Sequence, residues 1–261
     1  AEASRLPMSA IPDAWRHLAL DPPRAFGPPV VAGRVRCEPE DFLVEEILGF
    51  APAGDGPHCL LRVRKRGANT EWVARELARR AACRPSDVGF AGLKDRHAVT
   101  TQWFTVPRGK RPPGEWQGVA GEGYVVLEAH AHQRKLPRGA LAGNRFELRI
   151  RDLAGDRDAL HARLGELAEC GVPDYFGPQR FGQRLSNLAR VAAGDFRTDR
   201  GFGLSAARSL VFNAVLAQRV AEGSWASLEA GDVANLDGKG SVFEVAAVDD
   251  ALAGRVAALD V

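Results

Sequence analysis

The sequence predicts an α+β protein, with strands gathered before about residue 151 and helices gathered after it. Three observations carry that prediction. Short runs with period-two alternation fill the earlier part, and NRFELRIR (residues 144–151) is the cleanest: Phe146, Leu148 and Ile150 lie on one face, Arg145, Glu147, Arg149 and Arg151 on the other. Period-3.6 patterns with recognisable end signals fill the later part. At 261 residues and 45% hydrophobic, the chain is long enough to bury one large core or two moderate ones.

Residues 1–29 are Pro-rich and aperiodic, and read as an extended lead-in through DPPRAFGPP. VVAGRVRC, FLVEEI and CLLRVRKR follow as strands, separated by Pro39 and a Gly/Pro-rich stretch. A helix is expected from about Thr70 to Cys83. Asn69 or Thr70 caps it, Glu71 sits in its positive first turn, and Trp72, Val73, Leu77 and Ala81 form its apolar stripe. GLKDRHAVTTQ is too polar for a core strand and reads as a loop leading into a strand at QWFTV; PRGKRPPGEWQG is another loop. YVVLEAHAH and NRFELRIR complete the strands. DRDALHARLGELAECG is a helix with Asp156 or Asp158 near its start and Gly171 past its end. The turn-rich VPDYFGPQRFG precedes a long helix from about Ser205 to Glu222, and DVANL and SVFEV form a hairpin across DGKG.

Several function classes drop out. No run of about 18 apolar residues is present, so no membrane span is expected, and the start lacks the basic-then-apolar order of a signal peptide. The four cysteines form no CxxC pair, and GxGxxG, GxxxxGK[ST], HExxH and GxSxG are all missing. His130 and His132 share a strand face, which suits a solvated pair better than a metal site. No heptad seam argues for an obligate dimer, so a monomer is expected, in the cytosol.

Charge is distributed unevenly. The chain totals +2, yet residues 62–151 hold 19 Lys and Arg against 8 Asp and Glu, while the remainder is net acidic. Thirty of the 35 basic residues are arginines, whose planar fork suits phosphates and base edges. A basic third of a chain is the footprint of a nucleic-acid-binding face. Within it, GFAGLKDRHAVTTQWF (residues 89–104) sets Asp95 between Lys94 and Arg96, beside His97, in a Gly-flanked loop. A carboxylate in basic surroundings on a loop held by strands is suited to act as nucleophile or general base. Phe42, Phe146, Tyr175, Phe176 and Phe181 lie near basic residues. Each alone fits a core position, Phe146 by its strand register in particular, but together they make RNA a plausible substrate.

Four segments, EDFLVEE (40–46), GFAGLKDRHAVTTQWF, RKLPRGALAGNRFELRIR (134–151) and GVPDYFGPQRFG (171–182), resemble the TruD family of tRNA pseudouridine synthases in order and spacing. The resemblance implies a mixed or antiparallel-sheet catalytic domain over residues 1–165, and an inserted, more helical family-specific domain over 166–261 without the return to the catalytic domain. It implies isomerisation of a tRNA uridine, position 13 in the D arm, without cofactor or metal. Asp95 matches the family's catalytic aspartate. Asn144 and Phe146 match its NxF motif, Phe42 an aromatic of the uracil pocket, and Arg36 a position where a basic residue is often seen. Lys94 and Arg96 would point away from Asp95 on an extended segment and contact RNA backbone. A noncatalytic RNA-binding or RNA-chaperone protein of the same fold is the alternative.

Overall fold

A computed structural model describes residues 11–109, 111–195, 201–236 and 241–257. In chain order its elements are α1 (Asp13–Leu20), β1 (Val31–Arg34), β2 (Phe42–Ile47), β3 (His58–Arg66), α2 (Thr70–Arg80), β4 (Gly89–Phe90), β5 (Val99–Pro107), β6 (Ala120–Gly121), β7 (Tyr124–His132), β8 (Gly143–Leu148) and β9 (Arg151–Gly155). Then follow α3 (Arg157–Cys170), α4 (Ser186–Ala192), α5 (Phe202–Glu222), β10 (Val233–Asn235), β11 (Val242–Glu244) and α6 (Asp250–Ala257). The chain forms two compact units, Val31–Gly155 and the combination of Ala1–Val30 with Asp156–Val261. The division after Gly155 falls earlier than the sequence places a boundary, and residues 11–30 join the helical unit.

In the sheet unit the strands run in the order β6-β7-β3-β5-β2-β8, with β4 added alongside β5. β2 and β5 are parallel and the other pairs antiparallel, so the sheet is mixed. Alternation along β3 and β5 turns Cys59, Leu61, Val63, Phe104 and Val106 to one face. There α2 buries Val73, Ala74, Leu77 and Ala78 against them, and Trp116 closes the end. Asn69 is the extended residue before α2 but makes no side-chain cap bond, and the Thr70 hydroxyl is engaged with Gln102 and the Lys94 amide instead. Glu71 in the first turn and Arg79 and Arg80 in the last match the helix dipole. β5 starts at Val99, earlier than its polar sequence suggests, because Thr100 and Gln102 are buried facing this side chain layer. β8 departs most from expectation. It is an edge strand that stops at Leu148, so the expected run 144–151 is split, with Arg149 and Ile150 between β8 and β9. Phe146 and Leu148 are more than half exposed, and the face their alternation marks is not core.

In the helical unit α1 replaces the expected aperiodic lead-in. Pro12 precedes it, Asp13 occupies its first turn, and Ile11 and Ala19 bury with Phe181, Leu188, Ala206 and Leu210. α3 is capped by Asp156, which accepts from the Asp158 and Ala159 amides, and it ends at Gly171 with φ of 74°. α5 begins at Phe202. Its buried Asn213 donates to the Leu18 and Phe176 carbonyls and accepts from the Phe176 amide. β10 and β11 pair antiparallel as expected, while the DGKG turn lies outside the described residues. Among the described residues no helix is long and apolar enough to cross a membrane.

Candidate functional site

Cross-strand register sets the site. Lys65 on β3 pairs with Thr100 on β5, Thr100 with Val44 on β2, and Val44 with Phe146 on β8, so one row crosses four neighbouring strands on one face. α2 covers the Lys65 end of this face, and the Phe146 end is open. The row on one side of it pairs Glu46 with Asn144, and the row on its other side pairs Phe42 with Leu148.

The open end is an aromatic shelf. The Phe42 and Phe146 rings stack with centroids 6.0 Å apart and planes at 12°. The Arg36 guanidinium sits over Phe42, 4.4 Å from its centroid, within cation–π range. Phe42 is buried and Phe146 is 58% exposed, so the shelf presents Phe146 outward. Arg36 has φ of 56°, a left-handed conformation that L-residues other than Asn and Asp seldom adopt. Nearby in the chain, the buried Asp41 carboxylate accepts from Arg151 and from the Glu38 amide. The Arg151 guanidinium beside Asp41 holds that carboxyl below the usual range.

Asp95 lies exposed in the loop between β4 and β5. Three buried groups hold this loop from beneath. The Lys65 ammonium, 1% exposed, donates to the carbonyls of Asp95 (2.8 Å), Ala68 (2.9 Å) and Lys94 (3.4 Å). The Thr70 hydroxyl accepts from the Lys94 amide at 3.0 Å and donates to Gln102. Gln102 in turn donates to the Gly92 carbonyl at 3.3 Å. Burial pushes the Lys65 ammonium down to about 8, partly countered by the nearby Asp95 carboxylate.

The loop is tied to the shelf through Lys94. Its ammonium pairs with the Glu46 carboxylate at 2.9 Å and donates to Asn144 Oδ1 at 2.6 Å, with both charged side chains almost wholly buried. Glu46 also accepts from the Trp103 amide. Lys94 therefore points into the fold, which corrects the expectation of an outward lysine; the loop is irregular, so strand alternation does not govern it. Arg96 is exposed and donates from Nε to the protein's own Gly67 carbonyl at 3.1 Å.

Of the five residues singled out from the sequence, the structure joins Arg36, Phe42 and Phe146 in one stack, and links Asn144 to the Asp95 loop through Lys94. Sequence reasoning missed Lys65, Glu46, Thr70 and Gln102. The available signal was register: in HCLLRVRKR, Lys65 shares the core face with Cys59, Leu61 and Val63, where a lysine must have a structural reason. His130 and His132 take separate partners, His130 near Glu128 and Trp103, His132 stacked on Phe50. Among the described residues no three His, Cys, Asp or Glu side chains converge as metal ligands would.

Comparison with known proteins gives concordant results. A family model described as tRNA pseudouridine synthase D (TruD) matches residues 25–194. A tRNA pseudouridine synthase D of Methylococcus capsulatus is 47% identical over 248 residues, covering 92% of this chain and 70% of that protein. One from Nitrosococcus oceani is 45% identical over 246 residues, covering 90% and 69%. A Methanosarcina mazei protein whose crystal structure carries the TruD name aligns over 96% of this chain and 74% of its own, with a TM-score of 0.70 and 18% identity. At that identity the structural match bears on the fold, and the α+β mixed-sheet class agrees with it.

Proposed function

The chain belongs to the TruD family of tRNA pseudouridine synthases, and on that premise we propose that it isomerises a tRNA uridine to pseudouridine, with Asp95 as the catalytic carboxylate. The reaction breaks the N1–C1′ glycosidic bond, turns the uracil, and forms a C5–C1′ bond. The C5 proton leaves and N1 gains one, so the product is an isomer and no co-reactant is consumed. The proposal includes uridine 13 of the D arm as target, no cofactor or metal, and a monomeric cytoplasmic enzyme.

One observation carries the site assignment: the buried Lys94–Glu46–Asn144 cluster ties an exposed carboxylate loop to an exposed aromatic shelf. A uridine inside a folded tRNA must leave its stack before a carboxylate reaches its sugar. Phe146, open on one side and stacked on Phe42 on the other, offers the extruded uracil a replacement surface, and the Arg36 guanidinium adds a donor fork beside it. Asn144 lends its amide to the base edge while its carbonyl oxygen stays on Lys94.

The test follows tritium from tRNA carrying [5-³H]uridine, because each turnover removes the C5 hydrogen. Wild-type protein is expected to release label, and chemical mapping should place pseudouridine at position 13. Asp95→Asn is expected to release none while binding tRNA within a few-fold of wild type. Undiminished release by that variant would overturn the role of Asp95, and tRNA binding without release by the wild type would favour a noncatalytic RNA-binding protein.

A further inference from the structure

Beside the Asp95 loop, within the same unit, lies an open cleft of about 310 Å³ lined by Arg66, Arg75, Arg96, Trp72, Glu122 and the backbone of Gly67–Asn69. Three guanidinium groups face one carboxylate there. Arg96 follows Asp95 directly and is steadied by its Nε bond to Gly67. Arg75 projects from α2, exposed, and among the described residues it has no ion-pair or hydrogen-bond partner. Arg66 makes a two-bond pair with the Glu40 carboxylate, with both side chains part-exposed, so its charge is already engaged. Trp72 forms an apolar wall and is fixed edge-on against Tyr124, with centroids 6.1 Å apart.

The cleft and the Asp95 loop are mechanically one piece. The Lys65 ammonium bonds the Ala68 carbonyl, which belongs to the cleft wall, and the Asp95 carbonyl, which belongs to the loop. Any strand that delivers a nucleotide to Asp95 therefore has this basic cleft at a fixed offset from its reacting residue.

We propose that the cleft seats the phosphodiester backbone of the tRNA strand flanking the target uridine, with Arg75 and Arg96 as its principal phosphate contacts. The inference rests on the tRNA-modifying reading above and adds a location for the strand. Guanidinium forks match phosphate oxygens in pairs, and an open cleft admits a continuous chain where an enclosed pocket would admit only a mononucleotide. The single lining carboxylate, Glu122, sets one edge beyond which the strand is not held.

Full-length Arg75→Gln and Arg75→Glu variants test this against Arg79→Glu, one turn along the same helix and outside the cleft. Arg79 is exposed and its charge is already met by Glu76, so it reports what a nonspecific charge change does. Affinity for unmodified tRNA transcript is measured by filter binding over a salt series. Arg75→Glu is expected to weaken binding about tenfold and to flatten the salt dependence by about one counterion, with Arg75→Gln intermediate and Arg79→Glu within about twofold of wild type. Equal losses in Arg75→Glu and Arg79→Glu, or none in either, would overturn the proposal. Selective loss in Arg75→Glu, in a protein whose tritium release survives Asp95→Asn, would leave the cleft standing and remove only the catalytic assignment.

Discussion

Replacing Lys65 with methionine separates folding from turnover in opposite directions. The side chain is 1% exposed and among the described residues makes no ion pair; its ammonium donates to carbonyls, two of them at 2.8 and 2.9 Å, with the Asp95 carboxylate acting on it only through space. Burial lowers its folded-state value from the ordinary 10.5 to about 8, while the unfolded chain keeps the ordinary one. Between those two values the unfolded state binds more protons than the folded state, so stability rises as pH rises from about 8 towards 10.5. A gap of that size corresponds to at most about 3.5 kcal/mol, at about 1.4 kcal/mol for each tenfold change in proton affinity. Turnover should move the other way. A neutral amine has two hydrogens for three carbonyls, so the hold on the Asp95 loop loosens as stability increases. Methionine has a similar volume, needs no solvation and makes none of the three bonds. The assay pairs urea unfolding at pH 7 to 10.5 with single-turnover tritium release at pH 7 to 9, each for wild type and Lys65→Met. The wild-type stability gain should be missing from the variant, and its turnover should be at least about tenfold lower at pH 7, equivalent to one charge-assisted hydrogen bond of about 1.4 kcal/mol. The ratio of wild-type to variant rates, which cancels ionisation of the RNA itself, should shrink above pH 8. Parallel stability curves for the two proteins, or equal turnover at pH 7, would refute this account of Lys65.

Lys94→Met leaves the Glu46 carboxylate buried without its cation and should cost about 3–5 kcal/mol in urea unfolding, whereas Lys94→Met combined with Glu46→Leu should recover most of that loss without restoring tritium release. Phe146→Ala should reduce tritium release strongly while leaving the unfolding midpoint nearly unchanged, since the ring is 58% exposed. Phe104→Ala, at a fully buried position on the same sheet, should instead cost about 3–5 kcal/mol and serves as the comparison.

How far the sequence speaks depends on whether a residue's environment is local. The start of α2 was legible because Glu71 marks the positive first turn, while its end at Arg80 comes three residues before the expected Cys83. The α3 cap at Asp156 and the Gly171 stop are local in the same way. The candidate site was legible through its motifs, which named Asp95, Phe42, Asn144 and Phe146 without showing how they are held. Burial was misread wherever it depended on a distant strand. Phe146 alternates like a core residue but sits on an edge, 58% exposed, whereas Lys65, Thr70 and Gln102 are polar yet buried beneath the Asp95 loop. These inversions share one cause. A site on a sheet needs an uncovered apolar surface to meet its substrate and buried polar groups to hold the reactive loop rigid. On the proposed assignment, the hydrophobic pattern fails at the positions that would serve the site and holds at Leu61, Val63 and Phe104 in the core. A lysine in core register and a phenylalanine left open on an edge are, on this argument, two sides of the same functional requirement.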